Sequence, residues 1–315
     1  MNRCCGFSDI EDARRVALQL DIPFYVFQFR EEFEKEIINY FCTEYQEGRT
    51  PNPCILCNEK LKFGAFLKRA IELGGDFVAT GHYTRLELDE KSGQYLLKKG
   101  IDRKKDQSYV LFSLRQDQLQ HTLFPLGELK KEEVRKMAFE TGLRVHDKPE
   151  SQEVCFIPEA SYHYFLSERL KDSIEPGPII DRKGKVLGKH KGIPFYTIGQ
   201  RRGLRLAEGK PLYVIGIDRK ENAIIVGEER EVYQDAFLVN SLNWIHWKEM
   251  NSSLTAQVKI RYNHPGAEAA LSPKGKDEWE VRFKTAQKAI TPGQAAVFYD
   301  GETVLGGGWI KEVSN

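Results

Sequence analysis

Phe77-Val78-Ala79-Thr80-Gly81-His82 is a short run of β-favouring and small side chains that empties into a glycine and a histidine. It predicts a buried strand from Phe77 to Thr80. Upstream, helix and strand signals alternate. Ser8 or Asp9 can cap a helix through Ala13, Val16, Ala17 and Leu20, and Pro23 to Phe29 is an aromatic and β-branched strand candidate. A helix spans Glu31 to Tyr45, and after Cys57 another carries Leu61, Phe63, Phe66, Leu67, Ala70 and Ile71 at helical spacing. This alternation predicts an α/β domain, a parallel sheet with helices on its faces. In open sheets of that kind ligands sit beyond the carboxyl ends of the strands, which puts Gly81 and His82 where a site belongs. A lone histidine after a strand is nonetheless more often structural than functional.

Downstream, Leu86 to Lys99 reads as a hairpin around Ser92-Gly93, and Glu132 to Thr141 as an amphipathic helix ended by Gly142. The character changes after Pro158. One helix, Tyr162 to Leu170, precedes the breaker run Pro176-Gly177-Pro178, beyond which turns recur among short β-rich segments. The expected division is an α/β domain over residues 1–158, a small central β domain over 159–230 and a second β domain over 231–315. The 315 residues are 41% hydrophobic and 30% charged, which leaves apolar surface enough for two or three cores. Net charge is only +1, but Asp181 to Lys220 holds eleven Lys or Arg against three acidic residues. That local excess of eight points to a phosphate-rich ligand, against the blander reading of a solvated loop face. No apolar run approaches the ~20 residues of a bilayer span, and the first residues do not form a charged-then-apolar leader. Neither a membrane nor export is expected.

All six cysteines, Cys4, Cys5, Cys42, Cys54, Cys57 and Cys155, fall in the first half. A secreted scaffold would staple both halves, so reduced, cytoplasmic thiols are expected. The strongest local signal is Pro51-Asn52-Pro53-Cys54-Ile55-Leu56-Cys57-Asn58, two prolines and a C-x-x-C immediately before a helix. Prolines stiffen the approach, and the positive end of a helix stabilises thiolate. A C-x-x-C reads as half a zinc site, as a redox pair, or as a nucleophile with its neighbour. Zinc wants a second pair, and the only cysteine downstream is Cys155, in Ser151-Gln152-Glu153-Val154-Cys155-Phe156, so no metal is expected. Cys155 by itself also reads as a small core residue between Val154 and Phe156.

Pro51 to Asn58 is followed by Lys62-Phe63, Ala79-Thr80-Gly81-His82-Tyr83, Lys105-Asp106-Gln107-Ser108-Tyr109, Cys155-Phe156-Ile157, Thr197-Ile198-Gly199-Gln200-Arg201 and Thr291-Pro292-Gly293-Gln294. In that order and spacing, from about Cys4 to Ile310, the motifs resemble the bacterial tRNA-specific 2-thiouridylases of the MnmA type. The resemblance implies an adenine-nucleotide-hydrolase-like (PP-loop) α/β domain, a small central β domain and a C-terminal β-barrel. It implies replacement of O2 of the wobble uridine (position 34) by sulfur, with Mg-dependent use of ATP to make that oxygen an adenylate leaving group. The sulfur would come as a persulfide from a sulfur carrier or a cysteine desulfurase. By position, Cys155 matches the persulfide carrier and Cys57 the cysteine that forms a transient disulfide with it. Asn52, Pro53 and Cys54 match the stretch that meets the target base, and Gly81 an ATP contact. His82, Lys105, Asp106, Gln107, Arg261, Tyr262 and Gln294 match tRNA contacts. The chemistry is coherent, because a uracil oxygen leaves poorly, AMP leaves well, and a single-stranded anticodon base can be flipped into a pocket. Arg201, Arg202 and Arg205 then have phosphates to meet. No DNA partner is implied.

Two departures stand out. The family pattern opens with a strand and a Ser-Gly-Gly-x-Asp-Ser loop that cradles the ATP phosphates, and no such loop occurs in this sequence. A unit of roughly 40 to 60 residues is expected to be missing ahead of Ser8, leaving Gly81 as an edge contact and catalysis by this polypeptide in question. Second, many relatives carry aspartate where Cys54 stands. A third thiol beside Cys57 and Cys155 makes a count that can hold a four-iron cluster with one open iron, a reading set below the persulfide one. The rival from another class is a non-catalytic RNA-binding remnant. A further rival, a synthetase adenylating a small carboxylic acid, needs neither the three cysteines nor the basic segment.

Overall fold

The computed structural model describes residues 6–149, 154–157, 162–247, 250–275 and 277–314. Its amino-terminal half is a helical layer around a short parallel pair, β1 (Val78–Ala79) with β4 (Thr122–Leu123). A first helix covers Phe7–Gln19. A second runs through Arg30–Phe33, Glu34–Ile38 and Asn39–Gln46, its middle wound in wide π turns, and buries Ile37, Phe41 and Tyr45. A third runs through Pro53–Leu56, Cys57–Phe66 and Leu67–Glu72, again with wide turns in its middle. Gly64 makes that winding possible, because a Cβ there would lie 2.8 Å from the Glu59 carbonyl oxygen.

The parallel pairing agrees with the sequence reading, but the strand expected over Pro23 to Phe29 does not form. Residues 22–29 have no strand pairing, and Tyr25 and Val26 stand 75% and 55% exposed. β-favouring side chains make a strand only beside another strand. Here Phe27 and Phe29 lay their rings against Phe66 instead, at 5.9 and 6.4 Å.

The expected hairpin forms as β2 (Thr84–Asp89) and β3 (Gln94–Lys99), turning at Gly93 with φ +69°. It does not join the parallel pair. Lys98 of β3 pairs with Thr303, which carries the hairpin onto the C-terminal sheet. The helix predicted over Glu132 to Thr141 spans Lys131–Glu140, and Gly142 with φ +74° follows it.

After the helix Tyr162–Leu170, β5 (Gly177–Asp181), β6 (Val186–His190), β7 (Tyr213–Asp218) and β8 (Ala223–Gly227) form a four-stranded sheet in the order β6-β5-β8-β7. Ile179, Val214, Ile224 and Val226 make its core. Six strands then close a barrel: β9 (Tyr233–Trp244), β10 (Leu254–Lys259), β11 (Ala267–Pro273), β12 (Glu278–Lys288), β13 (Ala295–Asp300) and β14 (Thr303–Val313). They run β13-β10-β11-β12-β9-β14, and β14 pairs back on β13. Inward positions alternate along each strand, as in Ala256 and Val258 or Ala269 and Leu271, so closure buries one whole face.

Candidate active site

The C-x-x-C lies inside the third helix rather than ahead of it. Pro53 is its first residue, where a missing N–H costs nothing, and the Asn52 side chain caps the start by accepting from the Cys54 N–H at 3.2 Å. Cys54 and Cys57 therefore occupy the positive end of the helix. One residue further, the buried Asn58 donates to the Val110 carbonyl at 3.0 Å and pins that end to the loop carrying Lys105-Asp106-Gln107.

The approach to this helix is held by both β domains. The Thr50 N–H donates to the Pro292 carbonyl at 2.9 Å, and the Gln294 amide donates to the Thr50 carbonyl at 2.8 Å. The Thr50 and Thr197 hydroxyls are 3.1 Å apart. Gly293, at φ +89°, is needed where the chains cross, since a Cβ would come within 3.0 Å of the Thr50 nitrogen. Gln294, matched above to a tRNA contact, thus spends its amide on aiming the cysteine loop.

Cys155 arrives from the far side. Phe156 inserts among Phe33, Phe41 and Phe165, with ring centroids 5.3 to 5.6 Å away. This anchor leaves Cys155 exposed and packs Val154 and Ile157 into the same apolar cluster as Cys57. Cys54 is reached by solvent, yet protein crowds its thiol, and that burial pushes its pKa above the ordinary value. The facing Cys155 pushes it the same way and Lys62 opposes both. Lys62 acts electrostatically on both Cys54 and His82, a role that its place in the Lys62-Phe63 motif does not by itself indicate. Cys42 is buried in the second helix, its thiol pushed up to about 11, and takes no part. Cys4 and Cys5 lie outside the described residues. Among the described residues no group of three or more His, Cys, Asp or Glu side chains is placed to hold a metal ion.

Gly81 follows the end of β1 and is exposed, with only the Leu126 side chain near the place of a Cβ. His82 is buried between Phe63 and Phe124, its Nδ1 2.8 Å from the Thr80 hydroxyl. Burial, with Lys62 nearby, drives its pKa down to about 3, so the ring is neutral at pH 7. Gln107 and Tyr83 clasp each other through two 3.0 Å bonds, the Gln107 side-chain oxygen accepting from the Tyr83 N–H and the Tyr83 carbonyl from the Gln107 N–H. The Asp106 carboxylate is buried and accepts from the Gly100 and Ser108 N–H groups at 3.1 Å and the Ser108 hydroxyl at 3.0 Å. Its part is to shape the loop that carries Lys105 and Gln107. Tyr109 then leads to the barrel, its ring 6.1 Å from Tyr262, while the neighbouring Arg261 donates to the Lys288 carbonyl at 3.0 Å. In the central sheet, ion pairs take up Arg182, Lys210 and Arg219 of the basic segment.

The assembled site joins a helix start bearing two cysteines, a third cysteine facing it, a neutral histidine and a loop linked to the barrel. Residues 1–159 match the family described as tRNA methyl transferase HUP domain, residues 163–228 the tRNA methyl transferase PRC-barrel domain, and residues 234–310 the aminomethyltransferase beta-barrel domain. The chain is 50% identical over 309 residues to the tRNA-specific 2-thiouridylase MnmA of Halothermothrix orenii, an alignment covering 98% of this chain and 86% of the relative. It is 50% identical over 309 residues to that of Carboxydothermus hydrogenoformans, with 98% and 85% covered, and 47% identical over 309 residues to that of Clostridioides difficile, with 98% and 86% covered. At this identity over nearly the whole chain, the chain belongs to the family of tRNA-specific 2-thiouridylases of the MnmA type.

Proposed function

We propose that this chain is a tRNA-uridine 2-sulfurtransferase that forms 2-thiouridine at the wobble position, with ATP as the activating substrate. What supports the reading most is the gathering of Cys57 and the Cys155 segment in one apolar cluster, with Cys54 facing Cys155 at a proline-stiffened helix start. Asn52, Pro53 and Cys54 line the place for the target base, Gly81 meets ATP, and His82, Lys105, Asp106, Gln107, Arg261, Tyr262 and Gln294 serve tRNA directly or by shaping what touches it.

In this mechanism ATP transfers its adenylyl group to O2 of the uracil and pyrophosphate leaves. The terminal sulfur of a persulfide on Cys155, supplied by a sulfur carrier or a desulfurase, attacks C2, and AMP departs with the oxygen. The Cys57 thiolate then attacks Sγ of Cys155, breaking the S–S bond, and the electron pair stays on the sulfur bound to C2. A Cys57–Cys155 disulfide remains for an external thiol to reduce, which fits a reducing, cytoplasmic setting. No helix among the described residues is long and apolar enough to cross a membrane. The division into 1–158, 159–230 and 231–315 assigns the chemistry to the first part and the grip on tRNA to the other two.

The test is 2-thiouridine formation in tRNA with ATP, Mg and a persulfide donor, alongside iron content after anaerobic purification. Cys57→Ala and Cys155→Ala should abolish product, and Cys54→Ala should retain measurable activity. Stoichiometric iron in the parent, with Cys54→Ala as dead as Cys57→Ala, would transfer the role to a cluster. A parent that binds tRNA but forms no product would make the chain a non-catalytic RNA-binding protein.

A further inference from the structure

Beside the loop that shapes the site lies a groove of about 790 Å³ formed by residues 101–105, the start of the Lys131–Glu140 helix and Pro149. Six cations line it, Arg103, Lys104, Lys105, Lys130, Lys131 and Arg135, against two carboxylates, Asp102 and Glu132. Asp102 turns both oxygens to backbone, accepting from the Lys104 and Lys131 N–H groups at 3.1 Å. Those bonds fold residues 102–105 against the helix start and so bring two basic runs, separated by some 25 residues of chain, to one wall. Arg103 is engaged by Glu302, while Lys104 and Lys130 are exposed.

We infer that this groove is a second seat for the RNA substrate, binding the sugar-phosphate backbone of the strand that leads away from the target base. The inference rests on the tRNA reading above and extends it to residues that the reading did not use, Lys105 excepted. Three observations direct it to RNA. The cations are six in number and three of them, Arg103, Lys104 and Lys130, are exposed, which suits a row of phosphates rather than one small anion held in a tight cradle. The groove adjoins the candidate site along the chain, because Asp106 and Gln107 follow Lys105 directly and Gln107 is clasped to Tyr83, the neighbour of His82. The same Tyr83 ring carries the Lys131 ammonium 5.5 Å from its centroid, so one residue joins the groove wall to the histidine. Finally, the wall belongs to the amino-terminal layer, on a different part of the fold from the basic central sheet. RNA held at both is gripped at two separate places on the fold.

The experiment compares tRNA affinity across a salt series for the parent chain, the Lys104→Ala/Lys130→Ala double variant and the Lys104→Arg/Lys130→Arg pair. Both side chains are exposed, and far-UV circular dichroism checks that the fold is kept. The alanine pair should weaken binding about tenfold at low salt and flatten the slope of log K against log salt by about two, while the arginine pair keeps the parent slope. An alanine pair with the parent's slope and affinity overturns the inference. So does inorganic phosphate or tripolyphosphate binding that the alanine pair removes while tRNA binding stays unchanged, since the groove would then serve a small anion. A parent chain that fails to bind tRNA at all refutes the underlying function instead, a result separable from the other two.

Discussion

The C-terminal barrel and the amino-terminal helical layer use their apolar residues in opposite ways. In the barrel Val239, Val258, Leu271, Val281 and Phe298 have no exposure at all. Among the described residues, sixteen of the twenty-one large hydrophobic side chains that stand exposed come before residue 140, with Phe7 at 81% and Leu18 at 74%. The contrast shows where rigidity originates. A closed sheet satisfies its own backbone and face, whereas the layer that carries the cysteines borrows order from the barrel through β3 on β14 and through Thr50 on Pro292 and Gln294.

The largest effect should come from breaking the frame. Phe298→Ala, in the barrel centre, should cost about 3–5 kcal/mol in denaturant unfolding. If the layer depends on the barrel, probes in both parts should melt together and earlier. A layer that keeps its own transition would sever the link. Acid should act next. His82 titrates near 3 in the folded chain against an ordinary 6.5, so between those values the unfolded chain binds a proton that the native one refuses. Its contribution is complete above about pH 6.5 and declines as the pH falls, by about 2 kcal/mol at pH 5. His82→Gln should flatten the loss of thermal stability between pH 7 and pH 5, and an unaltered pH profile would remove His82 as its source. The smallest effect sharpens the comparison most. Gln294→Ala deletes one tie and should cost about 1 kcal/mol, yet thiolation should fall by more than that loss of folded protein explains, because the tie aims the loop before Cys54. Proportionate losses would make Gln294 a purely structural residue.

Features of local chemistry were legible in the sequence. Ser92-Gly93 placed the hairpin, Gly142 ended its helix, and the run from Pro51 to Asn58 marked the cysteine site. Pairing was less legible. Pro23 to Phe29 has strand composition but no strand beside it, and nothing local in Leu86 to Lys99 says that the hairpin serves a sheet completed some 200 residues later. The tie of Thr50 to Pro292 and Gln294 is hidden for the same reason, though two of its three partners sit in motifs already singled out. The groove is not legible in the sequence, because Arg103 to Lys105 and Lys130 to Arg135 are modest charge runs until the fold brings them together.

The tie between Thr50 and Gln294 spans 244 residues of sequence. A ribosome adding 5–20 residues per second needs on the order of tens of seconds to deliver the second partner after the first. Throughout that interval Cys54 and Cys57 ride on a nascent segment whose clamp has not yet been synthesised. During that interval the two thiols depend on their surroundings alone to stay reduced, so the time taken by translation sets a requirement for reducing conditions around the growing chain.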